Sequence, residues 1–265
     1  SGAISELDST RITKEEIAKT FHTIEAERNN ITKSLSEINE KRQEANKKIK
    51  QYDITLKNLE QEERMKSSRL KFLIETEKEK EGYIKSVKAL LLDCDKNAEL
   101  KKGMYGALSS LIKTPKEYET AIEMALGASL QNIVTENEED AKKLVEHLRK
   151  NNLGRATFLP IASVSGKKLD KLNEKGIDGV IGIASDLIKI DKKYENIILS
   201  LLGRTVIVDD MENAIKLAKQ NKYTFKIVTL KGDIITPSGG ITGGSVQAKT
   251  VNILGRAREI EELEA

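Results

Sequence analysis

From Thr13 to about Asn97 apolar residues return every seven positions. Ile17, Ile24, Ile31, Ile38, Ala45, Tyr52 and Leu59 form one column; Phe21, Leu35, Ile49, Leu56 and Leu70 form a second, offset by four and interrupted by Arg28, Arg42 and Glu63. Offsets alternating between four and three are the a/d seam of a left-handed coiled coil, because a 3.5-residue repeat keeps one stripe facing its partner. Leu73, Ile84, Val87 and Leu91 continue the register, so the pattern predicts one helix on the order of 120 Å long at ~1.5 Å per residue. Thr13 followed by Glu16 reads as the capping box that starts it. A helix with that stripe exposed needs a partner to be stable in water.

From about Glu99 the texture changes to short apolar runs, glycines and helical patterns. Lys116 to Leu130 reads as an amphipathic helix after Pro115, Asn132 to Thr135 as a strand and Glu138 to Lys150 as a helix. Ala156 to Leu159 reads as a strand stopped by Pro160. The rhythm recurs: Thr205 to Val208 as a strand, Met211 to Gln220 as a helix, Phe225 to Leu230 as a strand, then a turn at Gly232 before Ile234 and Ile235. The unit of strand, acidic turn, helix, basic stretch and strand thus occurs twice, which predicts two related α/β lobes. Residues 1–12 are expected to be a disordered leader or tag, 13–98 the outgoing coiled-coil arm, and 99–247 the body. The body divides into lobes of about 99–178 and 179–247, and 248–265 begins a returning helix. That returning arm is much the shorter, so the chain is expected to be a piece of a larger protein.

Composition agrees with this division. Charged residues make up 33% of the 265 and aromatics 4%, the composition of long solvated helices. A net charge of +3 does not mark a nucleic-acid binder, so any DNA contact has to come from a local basic patch. The single cysteine, Cys94, excludes an intramolecular disulfide and a Cys-ligated zinc site and fits a reducing cytosol. No apolar run approaches the ~20 residues of a membrane span, and the N-terminus lacks the layout of a signal peptide.

The most unusual stretch is Pro237-Ser-Gly-Gly-Ile-Thr-Gly-Gly-Ser245. A P-loop needs Lys and then Ser or Thr after its last glycine, whereas Ser245 follows Gly244 directly. The order G-G-x-x-G-G is also not a dinucleotide fingerprint. Close approach of two backbones suits these glycines better, with a phosphate-holding, ligand- or nucleotide-binding regulatory domain as the alternative. His22 and His147 read as a coil-flank residue and a solvent-facing helix residue, without partners at catalytic or metal-ligand spacing. Glu136 to Asp140 and Asp209-Asp210 fall where they complement helix dipoles. Neither a catalytic residue, a metal site nor a cofactor is expected. Basic residues gather where helices and body should meet: Lys101, Lys102, Lys249, Arg256 and Arg258. If the helix ends are adjacent, these five share one surface able to engage phosphates nonspecifically. The alternative is that they complement a helix terminus, which suits Lys101 and Lys102.

From about Arg69 onward the sequence closely resembles bacterial SMC proteins across their hinge. The resemblance rests, in order, on Gly103-Met-Tyr-Gly-Ala-Leu-Ser-Ser-Leu-Ile112, Tyr118-Glu-Thr-Ala-Ile-Glu-Met-Ala-Leu-Gly-Ala-Ser129 and Gly154-Arg-Ala-Thr-Phe-Leu-Pro160. It continues through Leu201-Leu-Gly203, Ile227-Val-Thr-Leu-Lys-Gly-Asp233, Pro237 to Gly244 and Leu254-Gly-Arg-Ala-Arg-Glu-Ile260. It implies a two-lobed α/β hinge fold with coiled-coil arms that forms a head-to-tail homodimer by pairing sheet edges. It places Gly239, Gly240, Gly243 and Gly244 at the dimer contact. It further implies weak DNA binding beside the coil, other subunits of an SMC complex as partners, and a cytoplasmic, nucleoid-associated setting. The family's ATPase heads lie at the far termini of the full-length protein, outside this chain. Many relatives carry a longer lysine run after the glycine motif; here only Lys249 stands in Gln-Ala-Lys-Thr. The Cys-x-x-Cys of zinc-hook relatives is absent.

Overall fold

The computed structural model describes residues 2–244 and 253–265 and divides into two compact units, 1–66 and 67–265. The first is helical throughout, part of helix α1 (Gly2–Lys78). The helix therefore starts well before the expected capping box. Thr13 Oγ1 donates to the Ser9 carbonyl within the helix instead of capping it, and residues 2–12 are helical. Ile17, Phe21, Ile24, Ile31 and Leu35 all lie exposed on this unit, the unpaired seam that the heptads describe.

In the second unit α1 ends at Lys78, and a turn with positive φ at Lys80 and Gly82 leads into α2 (Lys85–Lys96). Val87 and Leu91, expected to extend the coiled-coil seam, instead bury with Leu90 and Cys94 against Leu144 and Leu148 in lobe one. An apolar residue at heptad spacing looks the same in sequence whether it faces a partner helix or a core. A short helix α3 (Ala98–Lys101), capped by Asn97, leads into the first sheet.

Lobe one is built on strands β1 (Met104–Ala107), β2 (Ile133–Thr135) and β3 (Phe158–Pro160), with β1 antiparallel and β3 parallel to β2. Helix α4 (Glu119–Leu126) precedes β2, shorter than expected because 3₁₀ turns flank it on both sides. Helix α5 (Glu138–Lys150) follows β2, capped by the Asn137 side chain accepting from the Asp140 N–H. Lobe two repeats the order with β4 (Val180–Ile183), α6 (Glu195–Leu202), β5 (Thr205–Val208), α7 (Met211–Gln220) and β6 (Lys226–Thr229). It then adds the hairpin β7 (Ile234–Ile235) and β8 (Ile241–Thr242). Asp210 caps α7 as Asn137 caps α5, so the acidic clusters do sit at helix N-termini. Helix α8 (Ile253–Glu264) closes the chain.

The duplication extends further upstream than the strand–helix–strand rhythm of the sequence indicates. Gly106, Ser109, Leu111, Ile112, Lys113, Lys116, Tyr118, Glu119, Ile122, Leu126 and Gly127 recur at one constant offset. Their counterparts are Gly182, Ser185, Leu187, Ile188, Lys189, Lys192, Tyr194, Glu195, Ile198, Leu202 and Gly203. The geometry repeats as well. Each first strand is interrupted by a bulge at its glycine, Gly106 opposite Val134 and Gly182 opposite Ile207. Lys113 and Lys189, equivalent residues, form an antiparallel bridge with each other. The two lobes are thus related by a local pseudo-two-fold through that bridge.

Three apolar clusters hold the body. A central one joins both lobes and includes Leu108, Ile122, Leu126, Ile198, Leu202, Ile207 and Leu254. One lies under α2 and α5 in lobe one, and one lies under α7 in lobe two, where Ile177, Leu169 and Leu172 contribute. Tyr105 and Tyr194 meet edge-on across the lobes at 5.6 Å, with the Lys193 ammonium over both rings.

Candidate dimer-contact hairpin and helix junction

The glycine-rich stretch is the turn and far strand of the β7–β8 hairpin. Thr236 donates its N–H to the Gly240 carbonyl at 2.9 Å, and Gly239 donates back to the Thr236 carbonyl at 2.9 Å. Thr236 Oγ1 accepts from the Gly240 N–H at 3.1 Å. Behind the strand, Asp233 accepts from Thr229 Oγ1 through one carboxylate oxygen and from the Gly244 N–H, at 3.3 Å, through the other. Three of the four glycines have a clear steric reason. Gly239 and Gly244 have φ of +83° and +135°, and a Cβ on Gly243 would come within 2.4 Å of the Asp233 carboxylate.

The sheet order β4-β5-β6-β7-β8 makes β8 an edge. Because Thr236 and Gly240 are a hydrogen-bonded pair, the antiparallel alternation points the N–H and C=O of Ile241 away from β7. The Ile241 side chain is 58% exposed. An open edge carrying an exposed isoleucine is a surface prepared for strand pairing. Among the described residues lobe one has no counterpart of β7 and β8, and its sheet ends at β3. Pro160, which lacks an N–H, is tolerated there because β3 is itself an edge.

The same geometry removes the donors that a phosphate would need. The N–H groups of Gly239, Gly240 and Gly244 all point at partners inside the hairpin, and the Asp233 carboxylate lies behind them. Those three amides are therefore not available to a phosphate.

At the helix junction the structure engages two of the five basic residues, Arg256 and Arg258, in ion pairs. Arg256 is 3% exposed; it donates to the Glu81 carbonyl at 2.7 Å and approaches Glu77 Oε2 at 2.6 Å. Arg258 holds the buried Glu119 carboxylate and also pairs with Glu262 at 2.6 Å, which raises its pKa further. Both guanidiniums fasten α8 through ion pairs. Glu77, Glu81 and Glu119 lie far away in sequence, so only the i,i+4 pair of Arg258 with Glu262 has a sequence signal. Arg69 makes a bidentate pair with Glu259 at 2.8 and 2.9 Å, and Lys113 reaches Glu261 at 2.8 Å. Lys101 pairs with Asp95 at 2.9 Å, whereas Lys102 is exposed and its carbonyl accepts from Lys143. Lys249 lies outside the described residues.

Other candidates resolve as structural residues. His147, expected to face solvent, is part-buried and pairs with Asp93 on α2 at 2.8 Å. His22 is exposed on α1. Cys94 is buried and its thiol is pushed up to about 11, first by desolvation and then by Asp95 and Asp93. That places it away from thiolate chemistry. Among the described residues no group of His, Cys, Asp and Glu could hold a metal ion, and no helix is long and apolar enough to cross a membrane.

The family described as the SMC proteins flexible hinge domain matches residues 101–218. The fold matches a hinge-domain structure from Geobacillus stearothermophilus, crystallised as an asymmetric dimer, with a TM-score of 0.70 and 34% identity. The match covers 81% of this chain and 86% of that one. The chain belongs to the SMC hinge family. In sequence the hinge is 46% identical over 209 residues to the chromosome partition protein Smc of Desulfitobacterium hafniense. It is 42% identical over 195 residues to that of Clostridium kluyveri. These matches cover 78% and 72% of this chain but only 17% and 16% of the two relatives. The hinge therefore corresponds to about a sixth of a full-length Smc protein. The mixed α+β body and the long helix α1 are those of hinge domains carrying coiled coil.

Proposed function

We propose that this chain is the dimerisation hinge of a chromosome-partition SMC protein, joining two subunits head to tail at the apex of their coiled-coil arms. The observation that carries this reading is the open edge of β8, with the Ile241 backbone aimed outward and its side chain exposed. In the dimer, β8 of each subunit pairs with the open edge of β3 in the other, so two symmetry-related contacts close a two-fold ring. Gly239, Gly240, Gly243 and Gly244 shape the hairpin that presents this strand. The hinge carries no catalytic step; ATP hydrolysis belongs to the head domains of the full-length protein, and the other subunits of the complex engage that protein elsewhere. The inward use of the loop amides weighs against the ligand-binding alternative.

Light scattering of the whole chain across a dilution series tests the reading. Ile241→Pro removes the outward N–H and leaves the β7–β8 bonds in place, so the parent should be dimeric and the variant monomeric with unchanged circular dichroism. A dimer of equal affinity in the variant would refute the edge-pairing contact. The whole chain is required, because Val87, Leu254 and Arg256 are body residues and a piece cut at 99–252 would lack them.

Weak, nonspecific DNA contact beside the coil is the second part of the proposal. With Arg256 buried and Arg258 held between two carboxylates, it rests on the exposed Lys102, on Lys101, whose pair with Asp95 is solvent-exposed, and on Lys249.

A further inference from the structure

The pseudo-two-fold makes a comparison possible that neither lobe offers alone. On lobe one, α8 packs over the 3₁₀ turn at Leu108–Ser110 and over α4. Leu254 enters the central cluster with Ile112 and Ile122, Arg258 takes Glu119, and Glu261 takes Lys113. Lys116 lies close enough to Glu259 to lower its pKa, after the larger effect of Arg69. Ser109 Oγ, under the same cover, is hydrogen-bonded to the Tyr83 hydroxyl at 2.9 Å.

The equivalent surface of lobe two is a groove of about 610 Å³ beside α6. Its floor is Ile188 and Ile198, the counterparts of Ile112 and Ile122, and its rim carries Lys189, Lys192 and Glu195, the counterparts of Lys113, Lys116 and Glu119. No helix of the described chain covers this rim as α8 covers the first; the segment through Gly166 borders it, with Lys168 paired to Asp186 at 2.7 Å. Glu195 is exposed where Glu119 is 6% exposed. Ser185 Oγ, equivalent to the bonded Ser109 Oγ, is buried in the groove wall with no hydrogen-bond partner among the described residues. A buried hydroxyl without a partner is destabilising, and an occupant offering a polar group would satisfy it.

We propose that this groove is a docking site for an amphipathic helix of a partner protein, seated as α8 is seated on lobe one. The occupant's chemistry follows from the matched charges. It brings an apolar residue to the isoleucine floor, an arginine four positions later to Glu195, and carboxylates one and three positions beyond the arginine to Lys192 and Lys189. That is the pattern Leu254, Arg258, Glu259 and Glu261. The α8 of a second copy is not the occupant, because it is already held in its own lobe one through Leu254 and the buried Arg256.

The probe is a fluorescein-labelled peptide of residues 253–265, cross-linked between the outward positions 257 and 264 to hold it helical, titrated with the whole chain and followed by anisotropy. Saturable binding in the micromolar range is expected. Lys189→Glu with Lys192→Glu should weaken it by about tenfold or more. A peptide carrying Glu259→Lys and Glu261→Lys should then bind that variant better than the parent. Absence of saturation would overturn the proposal, as would binding unmoved by the Lys189 and Lys192 changes or abolished by Lys113→Glu, which would put the peptide on lobe one. A light-scattering mass halved by the Lys189 and Lys192 changes would make the groove a self-contact and overturn it equally. The outcome is independent of Ile241→Pro, so failure here and failure of the edge-pairing contact are distinguishable.

Discussion

Lys113 and Lys189 hold each other by their backbones: each donates its N–H to the other's carbonyl, at 2.9 and 2.7 Å. They are the same position in the two halves of the repeat, so this reciprocal pair is where the lobes are locked in register. Replacing Lys189 by proline removes one donor and leaves the Lys113 carbonyl short of a partner, at a cost of about 1–3 kcal/mol. Lys189→Ala keeps both bonds and should lie within about 0.5 kcal/mol of the parent. Urea denaturation of the two variants separates the backbone contribution from the side chain.

Arg256 should dominate the attachment of α8. Arg256→Ala leaves the Glu81 carbonyl without its donor, takes the guanidinium away from the Glu77 carboxylate, which keeps its pair with Lys80, and opens a cavity beside Tyr83. Breaking a buried pair costs about 3–5 kcal/mol, and the partial exposure of Glu77 puts this case at the lower end. The loss should appear in thermal unfolding, with DNA affinity unchanged. A large fall in DNA affinity at unchanged stability would return Arg256 to the DNA surface.

Glu123 gives the body a pH dependence. Burial, and secondarily the neighbouring Glu119 carboxylate, push its pKa up to about 7. The folded state therefore holds its proton more tightly than the unfolded chain, whose carboxyl titrates near the ordinary value of about 4.3. Stability from this group is fully present below that value. It falls as pH rises toward 7 and stays low above. Glu123→Gln should remove the decline, raising the melting temperature at pH 8 by roughly 2–4 °C, the shift that about 1 kcal/mol produces in a chain of this size, with little change at pH 4.

DNA binding should follow the lysines left outside the junction's arginine pairs. Lys101→Glu with Lys102→Glu should lower affinity and flatten the dependence of log K on log salt by about 0.9 for each phosphate that is no longer neutralised. Filter binding at several salt concentrations measures the slope, and an unchanged slope would move the DNA surface elsewhere.

The parts legible in the sequence are those with uniform local signals. β5 and β6 are β-branched runs, α5 and α7 have Asn and Asp caps before amphipathic faces, and the heptads of α1 repeat without interruption by proline. β1 and β4 escape a sequence reading, because Gly106 and Gly182 interrupt them at bulges and the chain there lacks strand alternation. β8 has only two residues between glycine pairs. The glycine hairpin stands out by composition, yet the donors and acceptors that close it, Thr236 and Asp233, look like ordinary loop residues. Arg256 and Arg258 mislead for a different reason. Charge can be counted along a chain, but an ion pair to Glu77 or Glu119 is a long-range contact, and burial is decided by the fold.

Leu254 sits in the apolar cluster shared by both lobes, while five residues further along Glu259 is clamped to Arg69 on the outgoing helix. Drawing α8 away from α1 would therefore have to break the Arg69–Glu259 and Arg256–Glu77 contacts. The neck is thus held by side-chain contacts outside both sheets, in which the strand edge proposed to meet a second subunit takes no part.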